Sequence, residues 1–119
     1  MKKNLVEKDA MIEKLFDDQI LDFKTNLFKA LGDNNRLLII EALRDGERCQ
    51  CEIIPFMKIS QPAVSRHLNI LEKSGLIKSR RDGNKILYDI VDHRVFKLID
   101  FINVDFMKTI SKELSPLFI

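Results

Sequence analysis

The spacing of apolar positions along the chain predicts a mainly helical protein. Between residues 12 and 31, apolar side chains recur every three or four positions, which is typical of one long amphipathic helix. Gly32 stands where such a helix would end. The apolar stripe consists of Ile12, Leu15, Phe16, Ile20, Phe23, Leu27, Ala30 and Leu31.

Three shorter helices are predicted to follow. Asp33 is placed to cap a second helix, which Gly46 would end. A short third helix comes next, and Pro55 inside it should shorten or distort it. Ser60 can cap a fourth helix, with Gly75 at its end. The chain therefore has four predicted helices before residue 76.

The pattern changes after Gly75. The runs "LIKSRR" and "KILYDIV" alternate around "DGN", which predicts a two-stranded β-hairpin. Asp92 can cap a last helix, and Pro116 would end it. The apolar stripe of that helix consists of Val95, Leu98, Ile99, Ile102, Phe106, Ile110 and Leu114.

A short helix, a turn, a polar helix and a basic hairpin, in that order, predict a winged helix-turn-helix. The fold class is mainly α with a small β-hairpin, about five helices plus a two-stranded wing. The helix-turn-helix would span about residues 49–75 and the wing about 76–91. The flanking helices, at about 8–31 and 92–115, complete a single domain.

Length and composition agree with one domain. A chain of 119 residues that is 45% hydrophobic can bury a core. The N-terminus "MKKNLVEKDAM" lacks the apolar stretch of a signal peptide, and no later stretch could span a bilayer. We therefore expect a cytoplasmic protein.

The net charge of +2 hides a basic segment between residues 58 and 85. It carries seven bases against Glu72 and Asp82. With Val64, Leu68 and Leu71 packed inward, the opposite face of the fourth helix would suit the major groove of double-stranded DNA. The predicted DNA-contacting residues are Gln50, Ser60, Gln61, Pro62, Ser65, Arg66, Asn69, Lys73, Arg80, Arg81, Asn84 and Lys85.

The basic segment has two other interpretations. The first is an ordinary exposed helix beside a charged hairpin. The second is binding of single-stranded RNA, which needs aromatic platforms that this segment lacks apart from Tyr88. His67 falls toward the inner side of its helix, so we interpret it as a packed or capping residue.

Four stretches carry a family resemblance: "LGDNNRLLIIEAL", "ERCQCEI", "ISQPAVSRHLNILEKSGLIKSRRDGNKILY" and "DHRVF". In order and spacing they resemble the ArsR/SmtB family of dimeric, metal-sensing winged-helix repressors. The resemblance covers about residues 27–96. Asn34 and Asn35 depart from it, because the family usually has Pro and Thr there.

The resemblance implies a homodimer built by the first and last helices. Independently, the aromatic residues of those helices offer more apolar surface than so small a chain could cover alone. They are Phe16, Phe23, Phe96, Phe101 and Phe106. A two-fold dimer presents two reading helices, so an inverted-repeat operator is the expected partner, with half-sites about one helical turn apart.

Cys49 and Cys51 are the only cysteines of the chain. A structural disulfide is not expected, because the compartment is reducing and the loop would be too small to stabilise much. Residues two apart on a regular helix point roughly 200° away from each other, so the thiols converge only at a frayed helix start. Paired thiolates would select soft ions: As(III), Sb(III), Cd, Pb, copper(I) or Zn.

The resemblance places an effector site at this "CxC". The arsenic-sensing type has a third cysteine where Ile54 stands here, and the cadmium- or lead-sensing type takes cysteines from the N-terminal segment, which has none here. A small cellular thiol, water, Glu47, Glu52 or the partner chain is left as the third ligand. Ligand capture would rotate Gln50, shift the reading helix and weaken operator binding.

The family has a second site, for zinc, on the last helix. Asp92 and His93 lie there, but Arg94 takes the place of the matching histidine. Asp105 and Lys108 stand where the partner ligands would be expected. We therefore interpret Asp92 as a helix cap and His93 as an exposed residue of the first turn.

Several functions remain open at this point. The cysteine pair could be a redox switch, the protein could lack a metal response, or Cys51 could be a core residue and Cys49 an incidental exposed thiol. A DNA-coating protein without operator preference is a further class. A thiol enzyme is not expected, because no activating His or "CxxC" supports one. No cofactor should be needed for folding.

Overall fold

The computed structural model describes residues 5–15 and 17–114, and within them the predicted winged helix-turn-helix is confirmed. The elements in chain order are α1 (Leu5–Leu15), α2 (Asp18–Leu31), α3 (Asn34–Ala42), β1 (Arg48–Cys49), α4 (Gln50–Phe56), α5 (Gln61–Lys73), β2 (Ile77–Asp82), β3 (Lys85–Ile90), α6 (Arg94–Phe101) and α7 (Val104–Leu114). Helices α4 and α5 form the helix-turn-helix, and β2 and β3 form the wing.

The predicted helix caps at Asp33 and Ser60 are confirmed. The Asp33 carboxylate accepts hydrogen bonds from the backbone N–H groups of Asn35 and Arg36, at 2.8 and 3.2 Å. The Ser60 hydroxyl accepts one from Ala63 at 3.3 Å. Each cap satisfies N–H groups that have no partner inside the helix, and so fixes where α3 and α5 begin.

The prediction of one continuous helix at each end of the chain is wrong. At the N-terminal end, the Asp17 side chain accepts from the N–H groups of Gln19 and Ile20, and so starts α2 as a new helix. At the C-terminal end, the Asn103 side chain accepts from Phe106 at 2.9 Å and starts α7. A side-chain acceptor inside each apolar stripe therefore divides the helix. The predicted stop at Pro116 lies outside the described residues.

The sheet has three strands in the order β1-β3-β2, where the sequence predicted two. Strands β2 and β3 pair antiparallel from Ile77 opposite Ile90 to Asp82 opposite Lys85. The additional strand, β1, pairs antiparallel with β3 and sets Cys49 opposite Leu87. The wing is therefore hydrogen-bonded to the segment that leads into α4.

The core lies between α3, α4, α5 and the sheet. Its most deeply buried side chains are Ile39, Ile40, Leu43, Ile53, Val64, Leu68, Leu71 and Ile77. Ile53 anchors α4 and Leu68 anchors α5 in the same cluster. Burial of aliphatic side chains stabilises by roughly 1.5–3 kcal/mol for each residue, so this core holds the helix-turn-helix rigid.

The outer helices leave a large apolar surface exposed. Phe23 on α2 is 60% exposed, Phe101 on α6 is 72% exposed and Phe106 on α7 is 40% exposed. Phe96 differs from the prediction, because it is buried in the core beneath the Arg44 guanidinium, 4.4 Å from the ring centroid. Phe16 lies outside the described residues. Across the described ranges, every helix is too short or too polar to cross a bilayer.

Candidate DNA-binding surface and cysteine pair

Helix α5 presents a polar face to solvent opposite its buried face. The inward packing predicted for Val64, Leu68 and Leu71 is confirmed. The exposed residues of this helix include all those predicted to read DNA: Gln61, Pro62, Ser65, Arg66, Asn69 and Lys73. Ser60 is also exposed, although its hydroxyl caps the helix. Arginine, glutamine and asparagine side chains can donate to base edges in a major groove.

The wing adds a second basic surface. Arg80, Arg81, Asn84 and Lys85 are all exposed on the strands and turn of the hairpin. The turn depends on Gly83, whose φ of +63° is a conformation that glycine adopts without a steric penalty. The exposed bases of the wing can reach phosphates or the minor groove.

One basic side chain of the wing, Arg80, has a partner that the sequence did not reveal. The Arg80 guanidinium donates to the Glu47 carboxylate through Nε, at 3.0 Å, and through Nη2, at 2.5 Å. The Arg80 guanidinium holds the pKa of the Glu47 carboxyl below its usual range. These residues are 33 positions apart, so no local pattern could have paired them.

His67 lies on the buried face of α5, as predicted, and is 6% exposed. Its Nδ1 atom is 3.2 Å from Arg36 Nη1. A guanidinium only donates, so in a hydrogen bond between these groups Nδ1 is the acceptor. Arg36 also donates to the carbonyl of Lys29 at the end of α2. It therefore connects α2 to α5.

The two cysteines meet at the start of α4. Cys49 is the N-cap residue, with an extended backbone (φ −68°, ψ 149°), and Cys51 lies in the first turn. The predicted convergence at a helix start is therefore confirmed. The expectation that no disulfide forms is wrong for this structure, because the two sulfurs are joined and the Cα atoms lie 5.1 Å apart. The backbone changes from strand to helix at Cys49, and this turn brings the two side chains together although residues two apart on a regular helix point away from each other.

The two cysteines differ in burial. The alternative in which Cys51 is a core residue and Cys49 an incidental exposed thiol is reversed. Cys49 is 3% exposed and belongs to the buried residues, whereas Cys51 is exposed. The Cys49 sulfur accepts from the Cys51 N–H at 2.9 Å. The Glu52 carboxylate accepts from the Cys49 N–H at 3.2 Å, which completes a capping box. Cys51 is thus the exposed member of the pair.

Gln50, between the cysteines, contacts α5. Its side-chain amide donates to the Ser65 hydroxyl at 2.6 Å. The sequence predicted Gln50 near DNA, but this contact between α4 and α5 was not foreseen. Both side chains can still turn toward a nucleic acid, because Ser65 is exposed and Gln50 is only half-buried.

The residues of the family's second metal site are engaged otherwise. Asp92 was predicted to cap the last helix, but the N-cap residue of α6 is His93, whose side chain makes no capping hydrogen bond. The Asp92 carboxylate, one residue earlier, accepts from the Arg94 backbone N–H at 2.9 Å and pairs with the Arg94 guanidinium at 2.7 Å. These contacts lower the pKa of Asp92 to about 2. His93 is exposed beside the Phe96 ring. Within residues 5–15 and 17–114, His, Cys, Asp and Glu side chains form no cluster of three or more suited to a metal ion.

Comparison with known proteins identifies the family. The profile described as "Bacterial regulatory protein, arsR family" matches residues 33–79. An uncharacterized HTH-type transcriptional regulator from Methanocaldococcus jannaschii is 45% identical over 65% of this chain and 88% of its own length. The arsenical resistance operon repressor of Staphylococcus aureus is 32% identical over 67% of this chain and 77% of its length. The HTH-type transcriptional repressor SmtB of Mycobacterium tuberculosis is 35% identical over 68% of this chain, and the match spans 60% of that repressor.

Solved structures agree in fold. A homodimeric winged helix-turn-helix DNA-binding domain from Mycobacterium bovis, a possible ArsR-family regulator, superposes with a TM-score of 0.69 and 27% identity over 81% of this chain and 89% of that domain. Reduced HlyU from Vibrio cholerae gives a TM-score of 0.66 and 26% identity, over 76% and 93% of the two chains. The profile match and the 32% identity to the arsenical resistance operon repressor, which is matched over 77% of its length, show that the chain belongs to the arsR family of bacterial regulatory proteins, which are DNA-binding transcriptional regulators and not enzymes.

Proposed function

We propose that this protein is a homodimeric repressor of an inverted-repeat operator and that Cys49 and Cys51 control its release. The observation that carries the proposal is the contact of Gln50 with Ser65, because it joins the cysteine pair to the helix that faces DNA. The exposed polar face of α5 and the wing supply the DNA-contacting side chains. Cytoplasmic location follows from the same role.

The apolar surface of the outer helices supports the homodimer. An apolar cavity of about 340 Å³ opens between α2, α3 and α6. It is lined by Phe28, Leu31, Gly32, Leu37, Leu98, Ile99 and Ile102. A surface this apolar is unusual on a monomer, and a second copy of the chain would cover it. The domain from Mycobacterium bovis is described as homodimeric.

The effector of this proposal is a thiophilic metal or metalloid bound by the reduced pair. Arsenite, antimonite, cadmium, lead and zinc all suit thiolate ligands. Relatives carry names that refer to arsenical, mercury and cadmium resistance. Ile54 stands where a third cysteine would complete the arsenic type, so a small cellular thiol, water, Glu47, Glu52 or the partner chain would supply further ligands.

Two connections would carry the change to DNA. The first is the hydrogen bond of Gln50 to Ser65, which a new position of the thiols would strain or break. The second is the pairing of β1 with β3, which ties Cys49 to the wing opposite Leu87. Capture of an ion between the sulfurs would therefore move both DNA-contacting elements. Affinity for the operator falls if the ion binds the released form better.

A second function is favoured by the disulfide itself. In a redox switch, oxidation of the two thiols forms the S–S bond and passes two electrons and two protons to a cellular oxidant, such as a peroxide or another disulfide. The exposed position of Cys51 gives such an oxidant access to one sulfur. The oxidised pair cannot offer two thiolates to a metal, so the two inputs would exclude each other.

Two measurements test the proposal. Selection from a random duplex library should recover an inverted repeat, and the bound complex should contain two protein chains; recovery of no preferred sequence would favour a DNA-coating protein. Titration of the reduced protein with each ion should produce thiolate-to-metal charge-transfer absorbance. That absorbance should vanish in the variant with Cys49→Ser and Cys51→Ser. Absorbance that persists in the variant would rule out the pair as the ligand.

A further inference from the structure

Arg80, in β2 opposite Leu87, forms a two-point contact with Glu47. Two N–H groups on one edge of the guanidinium, Nε–H and an Nη2–H, point to the two oxygens of the carboxylate. The side chains are 57% and 35% exposed, so the pair lies at the surface and not in the core. Arg80 is one of the bases that the proposed function assigns to DNA.

We propose that Glu47 is an electrostatic brake on the wing: its carboxylate occupies Arg80 and so lowers the affinity of the protein for DNA phosphate. The inference rests on the proposed DNA contact of Arg80. It adds a residue that sets the strength of that contact and that does not itself bind DNA.

The brake follows from the geometry and charge of the pair. A phosphate that approaches Arg80 must either displace the carboxylate or bind beside it, where two negative charges repel. An exposed ion pair contributes little to stability, so displacement by DNA is feasible. Within the described residues, the other basic side chains of the wing, Lys78, Arg81 and Lys85, have no carboxylate within 4.0 Å. Lys78 feels the charge of Glu47 only at longer range, so Arg80 is the residue that the carboxylate occupies.

Glu72 provides a matched control. Its carboxylate also lies beside β2, where it accepts a hydrogen bond from the Ser79 hydroxyl. No arginine or lysine pairs with it within the described part of the chain. Glu72→Gln therefore removes one negative charge near the wing without freeing a guanidinium.

The experiment measures affinity for a random-sequence duplex across a salt series, so it needs no operator. Four variants are compared with the wild type: Glu47→Gln, Arg80→Gln, the double variant and Glu72→Gln. We expect Glu47→Gln to bind more tightly and to gain one phosphate contact. Its salt dependence should steepen by about 0.9, so that a fourfold dilution of salt raises its affinity by about 3.5-fold more than that of the wild type. Arg80→Gln should bind more weakly, the double variant should match Arg80→Gln, and Glu72→Gln should keep the wild-type slope.

Other outcomes overturn the brake in distinguishable ways. Unchanged or weaker binding by Glu47→Gln would mean that the carboxylate is inert or orients Arg80 for DNA. If Glu47→Gln raises DNA affinity equally in the wild type and in the Arg80→Gln variant, the effect comes from the removal of a negative charge and not from the release of Arg80. If Arg80→Gln binds like the wild type, the DNA contact of Arg80 fails and the brake fails with it. If Arg80→Gln is weaker but Glu47→Gln is unchanged, the contact stands and the brake alone is wrong.

Discussion

The side-chain amide of Gln50 donates a 2.6 Å hydrogen bond to the Ser65 hydroxyl, across the turn between α4 and α5. Gln50 is the residue between the two cysteines, and Ser65 belongs to the exposed face of the reading helix. Gln50 is the direct neighbour of both cysteines, so a change in the distance or bonding between the two sulfurs should move the residue that contacts α5. This contact gives the proposed switch a short physical route.

Removal of the Gln50 amide should uncouple the switch. Gln50→Ala should still bind a metal ion at the cysteines, because both sulfurs remain. One lost hydrogen bond is worth about 1 kcal/mol, so the loss of DNA affinity that the ion causes should shrink by roughly fivefold. Ser65→Ala should weaken the response to the ion by the same factor. The double variant should respond no more weakly than either single variant. A full response in Gln50→Ala, measured as the ratio of DNA affinities with and without the ion, would disprove this route.

Arg66 should contribute to sequence recognition. It is exposed on the outward face of α5, where a guanidinium can pair with guanine. Arg66→Ala is expected to cost about 1–3 kcal/mol of operator binding and to relax preference at one base position. Lys97→Ala removes the same charge from the exposed surface of α6 and serves as the control. If both variants lose the same binding affinity, for the operator and for random duplex alike, then Arg66 contributes only its positive charge and not sequence recognition.

Phe101 should contribute to self-association. The ring is 72% exposed on α6 and meets Phe106 edge-on, with ring centroids 6.1 Å apart. Phe101→Asp should weaken the dimer by roughly thirtyfold or more, as expected for an aromatic hot spot, without unfolding the monomer. Phe56→Asp, at a 54% exposed position on α4, should leave sedimentation unchanged. A Phe101→Asp protein that still sediments as a dimer would place the interface elsewhere.

The carboxyl group of Asp92 should have a pKa well below the usual range of an aspartate. The Arg94 guanidinium and backbone N–H lower its pKa from 3.8 to about 2. Because the folded pKa is depressed, the contact stabilises the fold above pH 3.8 and is lost as pH falls through about 2. Carboxyl NMR should give a midpoint near that value, and Arg94→Ala should raise it. A midpoint of 3.8 in the wild-type protein would mean that the pair does not form in solution.

Local patterns in the sequence predicted most of the helix-turn-helix. Asp33 and Ser60 cap their helices because a side-chain oxygen just before an apolar run satisfies free N–H groups. The outward face of α5 follows from the spacing of Val64, Leu68 and Leu71 alone. The "DGN" turn placed the hairpin, since Gly83 must adopt a positive φ.

The breaks at Asp17 and Asn103 were missed because the apolar stripe continues on both sides of each break. Periodicity measures which face is apolar, and it is insensitive to a cap that divides the helix. The additional strand, Arg48–Cys49, has two residues, which is too short for alternation to be detected. The contact of Gln50 with Ser65 and the ion pair of Glu47 with Arg80 join residues 15 and 33 positions apart, so only the folded chain brings them together.

The most direct test of the cysteine switch is a mobility-shift titration of the reduced protein on its selected operator. Arsenite, antimonite, cadmium, lead and zinc are added separately, and an oxidant is added to a metal-free sample. We predict that an ion or the oxidant releases the wild-type protein from the operator. The variant with Cys49→Ser and Cys51→Ser should stay bound under the same condition. Release of that variant by the same agent, or a wild-type protein that stays bound under every condition, would contradict it.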